Sequence, residues 1–105
     1  MTDAVAFKIL TADQWAGFER DGVFAGAPVD LADGYIHLSA GDQVAGTLAK
    51  HFAGQTDLVL ATVSLAMLGD GVRWEVSRGE ALFPHLYATL PMTAVTESRA
   101  IPDAR

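Results

Sequence analysis

Cysteine is absent from the 105 residues of this chain. That removes a disulfide framework, a thiolate metal site and a cysteine nucleophile together. Basic residues are scarce: seven Lys and Arg stand against thirteen Asp and Glu, a formal net charge of −6. A protein that grips duplex nucleic acid needs a basic stripe, so the charge argues against that partner. It argues equally against an anionic membrane surface. Long apolar runs are missing too. The longest, over 58–68, is broken by Thr62 and Ser64 and falls well short of the ~20 residues that span a bilayer. The opening MTDAVAFKIL lacks the charged region and apolar run of a signal peptide. No GxxxxGK[ST], no GxGxxG after a strand, no GxSxG and no HExxH occurs, and no histidine spacing supports a metal site. The expectation is one soluble, cytoplasmic domain over 1–105, with no membrane contact and an oligomeric state the sequence does not indicate.

What is present is enough for a core, since half of the residues are hydrophobic. Residues 7–10 predict a short strand. Thr11 and Gln14 have capping-box spacing, which opens a helix carrying Trp15 and Phe18 on one face, and Gly22 is placed to end it. Residues 23–34, with Gly26, Pro28 and Asp33-Gly34, read as loop and turn. Residues 35–39 alternate, Ile36 and Leu38 facing one way and Tyr35, His37 and Ser39 the other. Ser39 followed by Asp42 reads as a helix start. Val44, Leu48 and Phe52 then give the clearest amphipathic helix, over 42–53. Residues 58–65 read as a central strand. Residues 72–77 alternate, with Val72, Trp74 and Val76 inward and Arg73, Glu75 and Ser77 outward; both tryptophans read as core. Residues 81–90 are extended around Pro84, which suits an edge strand or a bulge. Residues 92–101 close the chain as a strand. The order β-α-β-α-β-β-β-β predicts an α+β fold with two early helices and late, mostly antiparallel strands.

Chemistry concentrates on the polar sides of these strands. Tyr35, His37 and Ser39, backed by aliphatic neighbours, have the pattern of a cleft wall; a half-buried histidine bonded to a carbonyl fits as well. Glu75 shares its face with Arg73, which would hold it ionised, or it is an ordinary surface carboxylate. Phe83-Pro84-His85-Leu86-Tyr87 puts two aromatics and a histidine on one face, suited to stacking on a planar ring or to a satellite hydrophobic cluster. His51 borders the apolar face of its helix near the C-terminus, a structural place for a cation.

These motifs carry a resemblance. Asp33-Gly34-Tyr35-Ile36-His37-Leu38-Ser39, Gln43, His51-Phe52, Trp74-Glu75 and Phe83-Pro84-His85-Leu86-Tyr87 occur in an order that resembles the bacterial domain of unknown function 952 family, over residues 7–101. More distantly, the succession of a strand with His-Leu-Ser, a helix, an apolar strand and short late strands is similar to the RNA 2′-phosphotransferases. The resemblance implies an ADP-ribosylation-like fold, two small antiparallel sheets meeting at a nicotinamide-nucleotide cleft. It implies NAD or a related nucleotide as candidate ligand, and an ADP-ribosyltransferase-like transferase or NAD glycohydrolase activity. Carried over, it makes Glu75 and His37 the catalytic candidates. His37, Ser39, Tyr35, His85, Tyr87 and Arg78 become the cofactor-binding candidates. No arginine stands beside His37, unlike the phosphotransferases' phosphate site. The alternative is a non-catalytic small-ligand or protein-binding module on the same fold.

Overall fold

In chain order the elements are β1 (Val5–Thr11), α1 (Ala12–Asp21), β2 (Val23–Phe24), α2 (Pro28–Asp33), β3 (Ile36–His37), α3 (Val44–His51), β4 (Leu58–Ser64), α4 (Leu65–Leu68), β5 (Val72–Val76), β6 (Leu82–Leu86), β7 (Leu90–Pro91) and β8 (Val95–Ile101). The computed structural model describes residues 4–77, 79 and 81–101; Arg78 lies outside the described residues. Among those described, the strands form antiparallel sheets in the orders β1-β4-β8, β3-β6-β5 and β2-β7. The fold is α+β. No helix among the described residues is long and apolar enough to cross a membrane.

Alternation in β1 gives the first sheet two buried faces. Ala6 and Leu10 join Ala61 and Val63 of β4 in the main core, which Phe18, Phe24, Ile36, Leu38 and Leu86 complete. From the opposite face, Ile9, Leu58 and Leu60 meet Val44, Leu48 and Phe52. A strand buried on both faces has little use for polar positions, which is why residues 58–65 read as a central strand, and β4 is central. The predicted amphipathic helix is α3, preceded by a tight turn over Gly41–Gln43. At α1 the capping box forms as the spacing requires. Gln14 N–H donates to Thr11 Oγ1 at 3.1 Å, and Thr11 N–H donates to Gln14 Oε1 at 3.0 Å. Gly22 closes the helix in the left-handed region.

Three expectations are corrected. The loop over 23–34 contains β2 and α2. Pro28 opens α2, where its missing N–H costs nothing, and Gly34 at φ 86° closes it. Pro84 lies on neither an edge nor a bulge but in β6, the middle strand of its sheet. Its carbonyl accepts from Leu38 N–H at 3.0 Å. In an antiparallel ladder the N–H and C=O of a residue face the same neighbour, so the missing donor falls on the β3 side, just where β3 ends. Trp74 is 47% exposed rather than core, and Val76 is exposed beside it. On that face only Val72 reaches the main core; the strand then runs beyond it. Trp15 does pack against the core, in edge-on contact with Phe18.

One short segment ties the two larger sheets together. Ile36 and His37 pair with Leu86 and His85 of β6, and Leu38 bonds Pro84. The next residue, Ser39, exchanges both backbone hydrogen bonds with Phe7 of β1, at 2.8 and 2.9 Å.

Candidate functional site

The register of β3-β6-β5 decides which side chains meet. His37 lies opposite His85, and His85 opposite Arg73. The period of two then puts Tyr35, His37, Phe83, His85, Tyr87, Arg73 and Glu75 on one face, while Ile36, Leu38 and Leu86 turn to the core. On the polar face Tyr35 stacks on the His85 ring at 4.1 Å between centroids and lies 4.7 Å from His37 and 5.2 Å from Tyr87. The two imidazoles are edge-on at 5.6 Å.

Each imidazole has its own carboxylate. His37 Nδ1 lies 2.6 Å from Asp30 Oδ1, and His37 Nε2 lies 2.9 Å from Asp33 Oδ2. Asp30 is 1% exposed and comes from α2, the element the sequence reading missed. Its oxygens also accept from the backbone N–H groups of Ala27 and His37 and from Lys8 Nζ at 3.1 Å. The ammonium of Lys8 further donates to the His37 carbonyl at 3.0 Å. Burial would raise the Asp30 pKa, but the His37 bond, the Lys8 charge and the two backbone donors outweigh it and hold the carboxyl at about 2. Lys8, buried on the core side of β1, is pushed below the usual lysine range by desolvation, which Asp30 only partly offsets. A Pro at the first helical position and a Gly at the end were the signals that would have shown α2, and with it Asp30 as a residue aimed back at the turn before it.

Glu75 serves the second ring. Its Oε1 accepts from Tyr87 Oη at 2.6 Å and lies 2.8 Å from His85 Nδ1. The Tyr87 hydroxyl first, then His85, hold the Glu75 carboxyl below its usual range against a smaller desolvation penalty. Arg73 lies over the Tyr87 ring at 5.4 Å. The buried His85 Nε2 has no hydrogen-bond partner among the described residues.

Two hollows flank this cluster. The larger is a cavity of about 680 Å³ between β1, α2, α3 and the polar face of β3-β6, within the size range of small-molecule sites. Phe7, Ile9, Phe52 and Phe83 give it apolar walls. Lys8 and Lys50, the only lysines in the chain, line it, and so do all three histidines, His37, His51 and His85. Asp33 is the one carboxylate among the described lining residues. The smaller hollow, about 340 Å³, is bordered by Tyr35 and Tyr87.

The candidates from sequence therefore form one cluster but divide between surfaces. His37, Ser39 and His85 line the larger cavity. Ser39 does not cap a helix there: its hydroxyl shares a hydrogen bond with Thr47, 3.1 Å away on α3. Tyr35 and Tyr87 border the smaller hollow, and Glu75 borders neither. His51, read as structural, stands on the cavity wall. Arg78 is outside the described residues. Among the described residues no group of three or more His, Asp and Glu side chains converges as a metal site.

Comparison with known proteins places the chain in a family. The crystal structure of protein CC0527 from Caulobacter crescentus is similar at a TM-score of 0.89 and 47% identity, covering 92% of this chain and 85% of that one. The solution NMR structure of CC0527 is similar at 0.83 and 47%, covering 93% and 84%. No curated protein matches the chain. The model of the family described as protein of unknown function (DUF952) matches residues 9–98, and the chain belongs to that family.

Proposed function

We propose that this protein binds a small anionic molecule of about nucleotide size in the larger cavity. One observation carries the reading: every lysine and every histidine of a strongly acidic chain lines the same hollow. Of these side chains Lys8 is paired with Asp30, whereas Lys50 has no ion-pair partner among the described residues. An ammonium on a low-dielectric wall, with imidazoles beside it, focuses the field on an anion. The apolar side of the cavity suits a ring or short carbon skeleton, and the Ser39, Thr47 and backbone polar groups suit its substituents. NAD and related nucleotides are the candidate ligands that the sequence resemblance supplies.

The test is thermal unfolding with AMP, ADP-ribose and NAD at low and high salt. A rise in Tm with at least one of them is expected, shrinking with salt and reduced in K50A. No rise at millimolar concentration overturns the reading.

An ADP-ribosyltransferase-like or NAD glycohydrolase activity is the second reading. It is favoured by an ionised Glu75 on the same sheet face as His37, since a carboxylate stabilises the positive charge that builds on a ribose losing nicotinamide. It stands second because Glu75 borders neither hollow and already accepts from Tyr87 and faces His85. Nicotinamide release from NAD that is lost in E75Q supports it; no release removes it.

A further inference from the structure

His37 and His85 face each other across one strand pair, yet their ring nitrogens are used differently. Both nitrogens of His37 lie within hydrogen-bonding distance of carboxylate oxygens. In His85 only Nδ1 is engaged, with Glu75 Oε1 at 2.8 Å. An ionised carboxylate accepts and does not donate, so this bond places a proton on His85 Nδ1, and in the neutral ring Nε2 keeps its lone pair. The ring is 2% exposed, and its Nε2 has no partner among the described residues. An acceptor buried without a donor costs free energy, and such orphans are few in native proteins. The ring cannot swing to find a donor: Tyr35 stacks on it, and Glu75, itself tied by Tyr87, holds its other edge. His85 lines the larger cavity, whereas Glu75, the partner of its Nδ1, borders neither hollow.

We propose that His85 Nε2 is a ligand-binding atom, the hydrogen-bond acceptor that the cavity presents to an O–H or N–H donor of its anionic ligand, with Glu75 and Tyr87 as positioning residues. The inference rests on the cavity being a ligand site and adds the ligand's chemistry. Lys50 and His51 meet the anionic group from α3, and a hydroxyl or amide hydrogen of the same molecule reaches His85. Phosphorylated or carboxylated polyols and sugars have this combination; a simple anion does not. A site built around a buried acceptor rejects an analogue that lacks the donor, because the acceptor is then left unpaired.

The experiment uses the full chain with histidine labelled in 15N, and long-range proton–nitrogen correlation spectra that report which ring nitrogen carries a proton. Ribose 5-phosphate is the probe with hydroxyl donors, and methyl phosphate the probe without carbon-bound hydroxyls. In the free protein His85 is expected as the Nδ1–H tautomer. Ribose 5-phosphate is expected to shift the His85 Nε2 signal and to bind at least ~10-fold more tightly than methyl phosphate. In E75Q, whose carboxamide can donate to Nδ1 and turn Nε2 into an N–H, that preference is expected to collapse. Y87F, which removes only one bond to Glu75, is expected to lose part of it. An Nε2–H tautomer in the free wild-type protein overturns the proposal. So does a His85 Nε2 signal that stays put while His51 shifts at saturating ribose 5-phosphate; the cavity reading then survives. If neither probe moves any histidine signal, both fall.

Discussion

Asp30, which the sequence did not single out, ties three elements together. It is buried, it collects donors from Lys8, His37 and two backbone amides, and it joins α2 to β1 and β3. Removing one partner of a buried pair leaves the other charged and uncompensated. D30A is therefore expected to lower stability by about 3–5 kcal/mol in urea unfolding, far more than a surface carboxylate. The pH dependence follows from the same site. The Asp30 carboxyl sits at about 2 when folded and near the ordinary 3.8 when unfolded. Its contribution is thus fully present above about pH 4 and is lost as pH falls through about 2, on the order of 2 kcal/mol in all. Acid unfolding should be correspondingly shallower in D30N over that window. His37 and Glu75 were legible because strand alternation places polar side chains together. Asp30 was not, because its importance comes from Lys8, 22 positions away in sequence, and no local pattern records that meeting.

Elements were legible where their end signals were intact. The Thr11–Gln14 box and Gly22 bounded α1, and the Val44, Leu48, Phe52 spacing found α3. α2 was missed because Gly26, Pro28 and Asp33-Gly34 are turn residues by composition, although Pro at the start and Gly at the end also bound a helix. Pro84 misled for a related reason: the rule against proline in a central strand concerns a lost donor, and here the donor faces the end of a two-residue neighbour. Two glycines separate backbone strain from crowding. At Gly22, φ is 77° and nothing would touch an added Cβ. G22A is expected to cost about 1 kcal/mol. At Gly26, φ is 131° and a Cβ would come 2.9 Å from Asp30 Cβ. G26A is expected to cost about 3 kcal/mol by strain and by displacing Asp30. Thermal unfolding of the two variants should rank them in that order.

At the scale of the whole molecule, the sequence told how much apolar material there was but not where the sheets would stop covering it. Alternation assigned Trp74 to the inside, yet its half of β5 extends past the core. The two tryptophans therefore make a direct probe. Fluorescence of W15F, which leaves Trp74, should be quenched readily by a soluble quencher. That of W74F, which leaves Trp15, should resist it; equal quenching would contradict the packing. Net charge was equally legible and equally incomplete. The value of −6 predicts an acidic surface, but nothing in a composition says that residues from β1, β3, α3 and β6 will bring the lysines and histidines to one place.

That gathering has a chemical corollary. Of the two lysine amines, Lys8 is 7% exposed and locked to Asp30, whereas Lys50 stands open on α3 at the cavity wall. Reagents that acylate side-chain amines thus find one open lysine, and it lies on the wall of the cavity where a guest would sit. The rate at which Lys50 is modified becomes a built-in gauge of occupancy, readable from the mass of the peptide that carries it.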